Sequence, residues 1–399
     1  MILLESAVLL LALPVVAACG YLLLLTLLSR QPPALPRGAP DLKFDLVVPA
    51  HNEEEGIAQT VANLSRVDWP GPHRRIVVVA DNCTDATAER AREAGATVLV
   101  RNDPALRGKG YALKLAFERS LRDGFADAVV VVDADSLVSP NLLHAFAARL
   151  RQGAHAIQAH YGVSNPSASW RTRLMTVALA LFNRVRSMGR ERLGLSTGLR
   201  GNGMCFSREV LQRIPHEAFS LVEDVEYGIR LGQAGERVFF AWEADVLGEM
   251  VSSEKASRSQ RRRWEGGRKE LVRKWALPLL GQGTRKRSGL LLDLSLDLLV
   301  PPLSTVALGA VAVLLFGVGL SFYLGRISPS AWVGLACLGA LVLHVMRGWW
   351  LSGVGMRGLL DLARAPVFIV WKLWLALSPA PEKKGEWVRT AREGQRPPE

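Results

Sequence analysis

The chain has 399 residues, of which 49% are hydrophobic and 22% are charged, with a formal net charge of +12. This composition excludes an intrinsically disordered chain, and the length allows about two to three domains. The four cysteines are too few for a disulfide framework and lack metal-site spacing. The positive charge predicts an acidic partner, which could be nucleic acid, an anionic membrane or a phosphorylated small molecule.

The first element is an uncharged apolar run over residues 7–28. At about 1.5 Å per helical residue, it is long enough to cross a hydrocarbon core about 30 Å thick. Residues 16–19 resemble a lipoprotein cleavage site, but no Lys or Arg precedes them and the apolar run continues past Cys19. We therefore predict an N-terminal transmembrane helix over 1–28 and a linker over 29–43.

Residues 44–250 alternate short apolar runs with helical patterns, which predicts one α/β domain. The predicted strands are 44–50, 75–80, 97–100 and 128–132, and the predicted helices are 54–67, 86–94, 111–122 and 141–151. Continuous apolar strands separated by helices indicate parallel βαβ units. Ligands bind such sheets at the carboxyl ends of the strands.

Three of these predicted strand ends carry carboxylates. The first strand passes through Pro49 into Asn52 and Glu53, the second ends at Asp81, and the fourth ends at Asp133. Helix capping explains any one of them. Three such ends that converge on one crevice favour a ligand site.

The fourth strand is followed by an Asp-Ala-Asp sequence, Asp133 to Asp135. Two carboxylates at this spacing can face one ligand, and Mg²⁺ or Mn²⁺ prefers hard oxygen ligands together with phosphate oxygens. Two aspartates at this spacing are frequent by chance, so the prediction of a metal site depends on their position after an apolar strand.

Two further motifs have both a structural and a functional interpretation. Lys109 lies in the glycine-rich residues 107–110, which lack P-loop spacing and form either a phosphate-binding turn or a flexible helix start. Glu223 and Asp224 open a helical pattern, where acidic residues favour the helix dipole and could also include a general base.

Residues 251–289 form a basic region that precedes further apolar runs. Residues 251–288 hold twelve Lys or Arg and three Glu, a net charge of +9. A basic amphipathic helix beside a membrane span usually binds the lipid surface. That interpretation leaves Gln260 and the adjacent Arg263 and Trp264 unexplained.

The region 290–378 contains apolar runs at 298–324 and 327–346, which predict two more spans. The segment 359–377 carries three charges, so it is predicted to be interfacial or re-entrant, with a third C-terminal span as the alternative. Basic residues follow the first run and fill the tail 379–399. The positive-inside rule then places the N-terminus outside and both 30–290 and the tail in the cytosol.

Taken together, these motifs resemble the membrane-bound family 2 glycosyltransferases, such as cellulose, chitin and hyaluronan synthases and ceramide glucosyltransferase. The resemblance implies a GT-A-like nucleotide-sugar-binding domain with a mainly parallel sheet over 44–250. It also implies a divalent metal, Mg²⁺ or Mn²⁺, bound by Asp133 and Asp135. The donor nucleotide would be bound by the residues Pro49, Asn52, Glu53, Asp81, Lys109, Asp133 and Arg263.

The same resemblance implies roles on the acceptor side. Asp224 would be the general base of the family's Thr-Glu-Asp motif, in which Val222 replaces Thr, and the family's frequent aromatic residue before Asn52 is His51 here. Gln260, Arg263 and Trp264 match its Gln-x-x-Arg-Trp motif. The residues expected near the acceptor are Gly201, Asn202, Gly203, Glu223, Gln260 and Trp264.

These features predict an inverting transferase that moves a sugar from a UDP-sugar to a glycan or membrane-lipid acceptor. Processive polysaccharide or oligosaccharide synthesis and single addition to a lipid remain open, and export subunits are possible partners. The expected location is a bacterial inner membrane with the catalytic domain in the cytosol. A non-catalytic membrane scaffold is an alternative, and nucleic acid is not expected as a partner because no nucleic-acid motif is present.

Overall fold

An eight-stranded sheet and three long apolar helices organise the chain. The computed structural model describes residues 2–33, 35–250 and 254–364, with side chains described for 4–33, 35–250 and 266–364. The strands are β1 (Phe44–Ala50), β2 (Arg74–Asp81), β3 (Thr97–Arg101), β4 (Ala128–Val131), β5 (Ser136–Val138), β6 (Ala156–Val163), β7 (Met204–Ser207) and β8 (Val238–Gly248). 

Fourteen α-helices are described. They are α1 (Ile2–Leu28), α2 (Ile57–Leu64), α3 (Thr87–Glu93), α4 (Lys109–Asp123), α5 (Leu142–Arg151), α6 (Trp170–Leu179), α7 (Arg186–Arg192), α8 (Arg208–Arg213), α9 (Glu223–Gln233), α10 (Glu254–Lys286), α11 (Gly289–Leu299), α12 (Leu303–Leu324), α13 (Pro329–Ser352) and α14 (Gly355–Leu362). A 3₁₀ turn covers Gly71–His73, and a π-helical segment, Ala180–Val185, joins α6 to α7.

The sheet has the order β3-β2-β1-β4-β7-β6-β8-β5. Strand β1 pairs in parallel with both β2 and β4, and β2 pairs in parallel with β3. Strand β7 is antiparallel to its neighbours, whereas β6 and β8 are parallel. The predicted α/β fold with a mainly parallel sheet is confirmed, and the carboxyl ends of β2, β1 and β4 lie side by side.

Helices cover both faces of the sheet because its strands are apolar on both sides. On one face α2 and α5 pack against β1 and β4, with Ile57 and Phe146 fully buried. On the other face α4, α8 and α9 pack around Phe117 and Tyr227. This two-sided core holds the strand ends at a fixed spacing.

Three helices are long and apolar enough to cross a membrane: the Leu4–Leu28 part of α1, α12 and α13. They pack on one another through a shared apolar cluster that includes Leu22, Ala310 and Leu341. The apolar run predicted at 298–324 is divided, since α11 ends at Leu299 and α12 begins at Leu303. Pro301 and Pro302 account for the break, because proline lacks an N–H donor and restricts the preceding residue.

Within the basic region, one continuous helix, α10, covers Glu254–Lys286. Its described apolar side chains Leu271, Ala276 and Leu279 pack against α9 and α11, so part of its apolar surface contacts protein. Of the segment 359–377, only the residues up to 364 are described, and they include the end of α14. The remainder of that segment and the predicted cytosolic tail lie outside the described residues.

Candidate functional site

Lys109 is at the centre of a partly buried group of carboxylates, in which Glu223 is buried and Asp133 and Asp224 are partly exposed. It is the first residue of α4, after Gly108, whose φ of 132° is accessible to glycine at little cost. Its Nζ donates to Asp133 Oδ1 at 2.5 Å and to the Gly201 carbonyl at 2.5 Å, and lies 3.9 Å from Glu223 Oε1. The structure thus joins the predicted Lys109 to the end of β4 and the start of α9.

Asp224 belongs to the same group. A Cβ on Gly201 would lie 3.5 Å from Asp224 Oδ2 and 3.7 Å from Lys109 Nζ. Gly201 has a φ of +77° and carries no side chain between the two charged groups. Its backbone therefore lines the space beside the Asp224 carboxylate.

The pKa shifts in this group follow from burial and from its mixed charges. Burial acts to lower the pKa of Lys109, but Asp133 and Glu223 together raise it above its ordinary value. Burial also raises the pKa of Asp224, against backbone N–H groups and Lys109, which lower it. Lys109 is therefore a fixed cation, and Asp224 is a carboxylate with greater proton affinity than an exposed one.

Glu223 supplies a pH-dependent prediction. Burial raises its pKa from 4.5 to about 8; Lys109 lowers it and Asp224 raises it. Because ionisation costs more in the folded state, the stability contributed by protonated Glu223 is lost as the pH rises from 4.5 to about 8. Glu223→Gln should flatten this part of the stability profile, measured by thermal unfolding from pH 5 to about 9. An unchanged slope would contradict the assignment.

Asn202 lies behind the Asp133 turn. Its Oδ1 accepts the Asp133 N–H at 3.1 Å, and its Nδ2 donates to Ser136 Oγ at 2.7 Å. The residue is 1% exposed. Gly203 is also packed, since a Cβ there would meet Val246 Cγ2 at 2.8 Å. Of the three residues expected near the acceptor in this loop, Gly201 alone faces the carboxylate group.

The ends of β1 and β2 are joined by polar side chains. The Thr84 N–H donates to Asn52 Oδ1 at 2.8 Å, and the Glu53 N–H donates to Thr87 Oγ1 at 2.7 Å. Asn52 has a φ of +55°, which asparagine tolerates. Pro49 lies in β1 one residue before its end. The structure therefore brings Pro49, Asn52, Glu53 and Asp81 to one side of the site.

Arg101 is a site residue that sequence reasoning missed. Its Nη1 donates to Asp81 Oδ1 at 2.6 Å, and its guanidinium lies 5.3 Å from the centre of the Tyr111 ring. Tyr111 in turn stacks on Phe219 with ring centres 4.3 Å apart. The sequence did contain a signal for Arg101, because this residue ends the third parallel strand, where ligand-binding side chains are expected. Its pairing with Asp81 depends on the register of β2 and β3.

Asp133 and Asp135 both raise the pKa of Tyr161, with burial as the largest cause, so the two carboxylates lie within electrostatic reach of one phenol. Asp133 contacts Lys109, and Ser136 Oγ donates to Asp135 Oδ1 at 3.3 Å. The described residues contain no group of three or more His, Cys, Asp or Glu positioned for a metal. Two hard oxygen donors fit Mg²⁺ or Mn²⁺ when donor phosphates and water complete the shell.

The structure does not describe where the side chains of the Gln-x-x-Arg-Trp motif lie relative to the site. Gln260, Arg263 and Trp264 lie within α10, but their side chains are outside the described residues. Their predicted roles remain predictions. Gly267, a described residue of the same helix, packs against the start of α9, since a Cβ there would lie 2.9 Å from Val222 Cγ1.

Gly110 offers a second test of the site's packing. A Cβ at this position would lie 2.1 Å from the Ala218 carbonyl oxygen. Gly110→Ala should therefore displace the loop before α9 and destabilise the fold by about 1–3 kcal/mol, as measured by thermal unfolding. Gly71→Ala is the control, since a Cβ there meets nothing within 4 Å. Equal melting temperatures for the two variants would contradict the close approach.

Comparisons with known proteins identify the relatives of this chain. The family described as "Glycosyltransferase like family 2" matches residues 40–267. Beta-monoglucosyldiacylglycerol synthase of Nostoc sp. is 30% identical over 253 residues, 60% of this chain and 52% of that protein. Glucomannan 4-beta-mannosyltransferase 7 of Arabidopsis thaliana is 25% identical over 253 residues, 57% of this chain and 43% of that protein. The chain thus spans about half the length of these curated relatives.

One solved structure shares the fold over most of the chain. The mannosyltransferase PcManGT from Pyrobaculum calidifontis, solved in complex with GDP-Man and Mn²⁺, has a TM-score of 0.53 and 19% identity. The match covers 87% of this chain and 99% of that one. This similarity supports a GT-A-like fold for the domain that carries the site.

Proposed function

Since the chain belongs to the family 2 glycosyltransferases, we propose that it transfers one sugar from a UDP-sugar to a hydroxyl group of a membrane lipid, with inversion at the anomeric carbon. The observation that carries this proposal is the partly buried group formed by Lys109, Asp133, Glu223 and Asp224 near the carboxyl ends of the strands. It combines a fixed cation for phosphate with a carboxylate able to accept a proton.

Asp224 acts as the general base in the proposed reaction. The acceptor hydroxyl gives its proton to the Asp224 carboxylate while its oxygen forms a bond to the anomeric carbon. The bond from that carbon to the diphosphate oxygen breaks, and its electron pair leaves with UDP. The open backbone at Gly201 gives the acceptor room beside Asp224. A carboxylate with raised proton affinity is suited to this step.

The donor diphosphate lies near Lys109, Asp133 and Asp135 in this proposal. Lys109 holds a positive charge next to the leaving group, and Asn202 orients the Asp133 backbone. Asp133 and Asp135 would hold Mg²⁺ or Mn²⁺, which would stabilise the negative charge on the departing diphosphate. Asp81, held by Arg101, and the neighbouring Asn52 would border the nucleoside.

Two observations favour a lipid over a growing polysaccharide. The three described candidate spans pack on one shared apolar cluster, and three helices are few for a channel that conducts a polymer. The relative that is 30% identical is named as a synthase of monoglucosyldiacylglycerol. Glycan elongation is the second candidate, favoured by the similarity to a glucomannan mannosyltransferase.

The test is a nucleotide-release assay on the full chain in lipid nanodiscs. Each donor of a panel of UDP-sugars, with GDP-mannose as a comparison, is incubated with extracted membrane lipids and with Mg²⁺ or Mn²⁺. The proposal expects UDP release, loss of release in EDTA, and a product one sugar heavier than a lipid. A ladder of sugar additions would favour glycan elongation, and no release from any donor would contradict a transferase activity.

A further inference from the structure

Four buried or partly buried arginines lie between the carboxylate group and the ends of the apolar helices. We call Arg186, Arg190, Arg200 and Arg268 the arginine cluster. Helix α7, which carries the first two, packs directly on α1: a Cβ on Gly189 would lie 2.6 Å from the Leu25 carbonyl oxygen. The cluster is therefore at the domain-side end of the first span.

The carboxylates near the cluster are too few to neutralise it. Arg190, which is fully buried, pairs with Asp293 at 3.0 Å and with Asp297 at 3.2 Å, and Arg186 shares Asp297. Arg268 donates to backbone carbonyls at the end of α11. Asp293 and Asp297 thus pair with Arg186 and Arg190, and Asp224 acts electrostatically on Arg200, so three carboxylates serve four guanidinium groups and an excess of positive charge remains.

Arg200 has no ion-pair partner among the side chains that the structure describes. Its Nη2 donates to the Thr197 carbonyl at 2.9 Å, and its guanidinium lies 4.0 Å from the centre of the Phe182 ring. Its buried Nε has no hydrogen-bond acceptor in the described part of the chain. Burial, together with Arg190 and Arg186, lowers the pKa of Arg200 to about 9. An anion at this position would satisfy both the charge and the donor.

The position of Arg200 links the cluster to the acceptor side of the site. Arg200 directly precedes Gly201, whose backbone borders Asp224, and Asp224 acts to raise the pKa of Arg200. Phe182 lies in the π-helical segment that packs against α13, and π-helical turns are often found at functional sites. The cluster therefore lies between the proposed base and the level at which lipid headgroups meet the spans.

We propose that the arginine cluster, with Arg200 as its central donor, binds the phosphate of the acceptor lipid and holds that lipid's hydroxyl beside Asp224. The ligand class is a phosphate-bearing lipid, in contrast to a neutral diacylglycerol. A guanidinium suits this role because it offers several donors in one plane and stays charged when partly buried. This inference rests on the proposed function in assigning Asp224 to the acceptor side.

The test measures binding to the full chain in detergent by isothermal titration calorimetry. The probes are dihexanoyl phosphatidylglycerol, dihexanoylglycerol, inorganic phosphate and UDP. The wild-type chain should bind the phospholipid at least about tenfold more tightly than the neutral lipid. Arg200→Gln should abolish this preference, Arg200→Lys should restore part of it, and Arg192→Gln, at an exposed position on α7, should keep it.

Each alternative outcome leads to a different conclusion. If Arg200→Gln weakens UDP binding and leaves phospholipid binding unchanged, the cluster serves the donor diphosphate and the proposal is wrong. If inorganic phosphate binds as tightly as the phospholipid, the cluster recognises phosphate without the lipid, and the proposal is also wrong. Thermal unfolding of Arg200→Gln shows whether this variant is folded. If it is not folded, the lipid preference is tested with Arg200→Lys instead. Nucleotide release tests the transferase separately, so its failure would not be confused with loss of lipid binding.

Discussion

Asp224→Asn is expected to lower kcat by about 10²- to 10⁴-fold, the usual contribution of a positioned general base. The amide keeps the size of the side chain but cannot accept the proton of the attacking hydroxyl. The position is partly buried beside Lys109 and Gly201, which limits the room for a water molecule to replace the lost base. The measurement is UDP release by the full chain with its best donor in nanodiscs.

The control for this variant is Asp123→Asn, on the exposed end of α4, where the carboxylate pairs with Arg75 and Arg119. Its rate should stay within about twofold of the wild type, since surface ion pairs contribute little. UDP affinity should be unchanged in Asp224→Asn, which separates loss of chemistry from loss of donor binding. Near-normal turnover by Asp224→Asn would show that Asp224 is not the general base.

Arg190→Met is expected to destabilise the protein by about 3–5 kcal/mol, because it leaves buried carboxylates without their main partner. Arg190 is fully buried, its Nε donates to the Tyr21 hydroxyl at 3.1 Å, and Asp293 Oδ2 is 3.0 Å away. These contacts join α7 to α1 and α11. Thermal unfolding in detergent, followed by tryptophan fluorescence, measures the loss.

Arg92→Met is the matched control, since Arg92 and its partner Glu89 are both exposed and 3.6 Å apart. Its effect should stay below about 1 kcal/mol. Adding Asp293→Asn to Arg190→Met should recover part of the lost stability, because the remaining buried charge is removed. If Arg190→Met and Arg92→Met melt at the same temperature, the buried network does not hold the domain to the spans.

The strand ends illustrate what a sequence alone can predict. Apolar runs separated by helical patterns indicate parallel strands, and parallel neighbours bring their carboxyl ends to one edge. Asn52, Asp81 and Asp133 were expected there, and the pairing of β1 with both β2 and β4 places them side by side. The three candidate spans followed from length and hydropathy, although the Pro301-Pro302 break divides the second apolar run.

Charge is more difficult to interpret from the sequence. The net charge of +12 indicated an acidic partner, and most of the excess was found in 251–288. The excess of positive charge beside the site is carried mostly by other residues, since Arg268 on α10 is the only member of the arginine cluster within 251–288 and the other three lie on α7 and in the loop before β7. Arg186, Arg190 and Arg200 have no distinctive spacing, so no motif separates them from ordinary surface arginines.

The sequence determined the class of fold, the number of apolar spans among the described residues and the strand-end carboxylates, because each follows from local periodicity or composition. Tertiary structure alone decided which charges meet. Lys109 and Gly201 are 92 positions apart, and Tyr21 and Asp293 are 272 positions apart, yet each pair is hydrogen-bonded. Such contacts depend on the packing of whole helices and on strand register, and that packing gives Asp224 its raised pKa and Arg200 its unpaired donor.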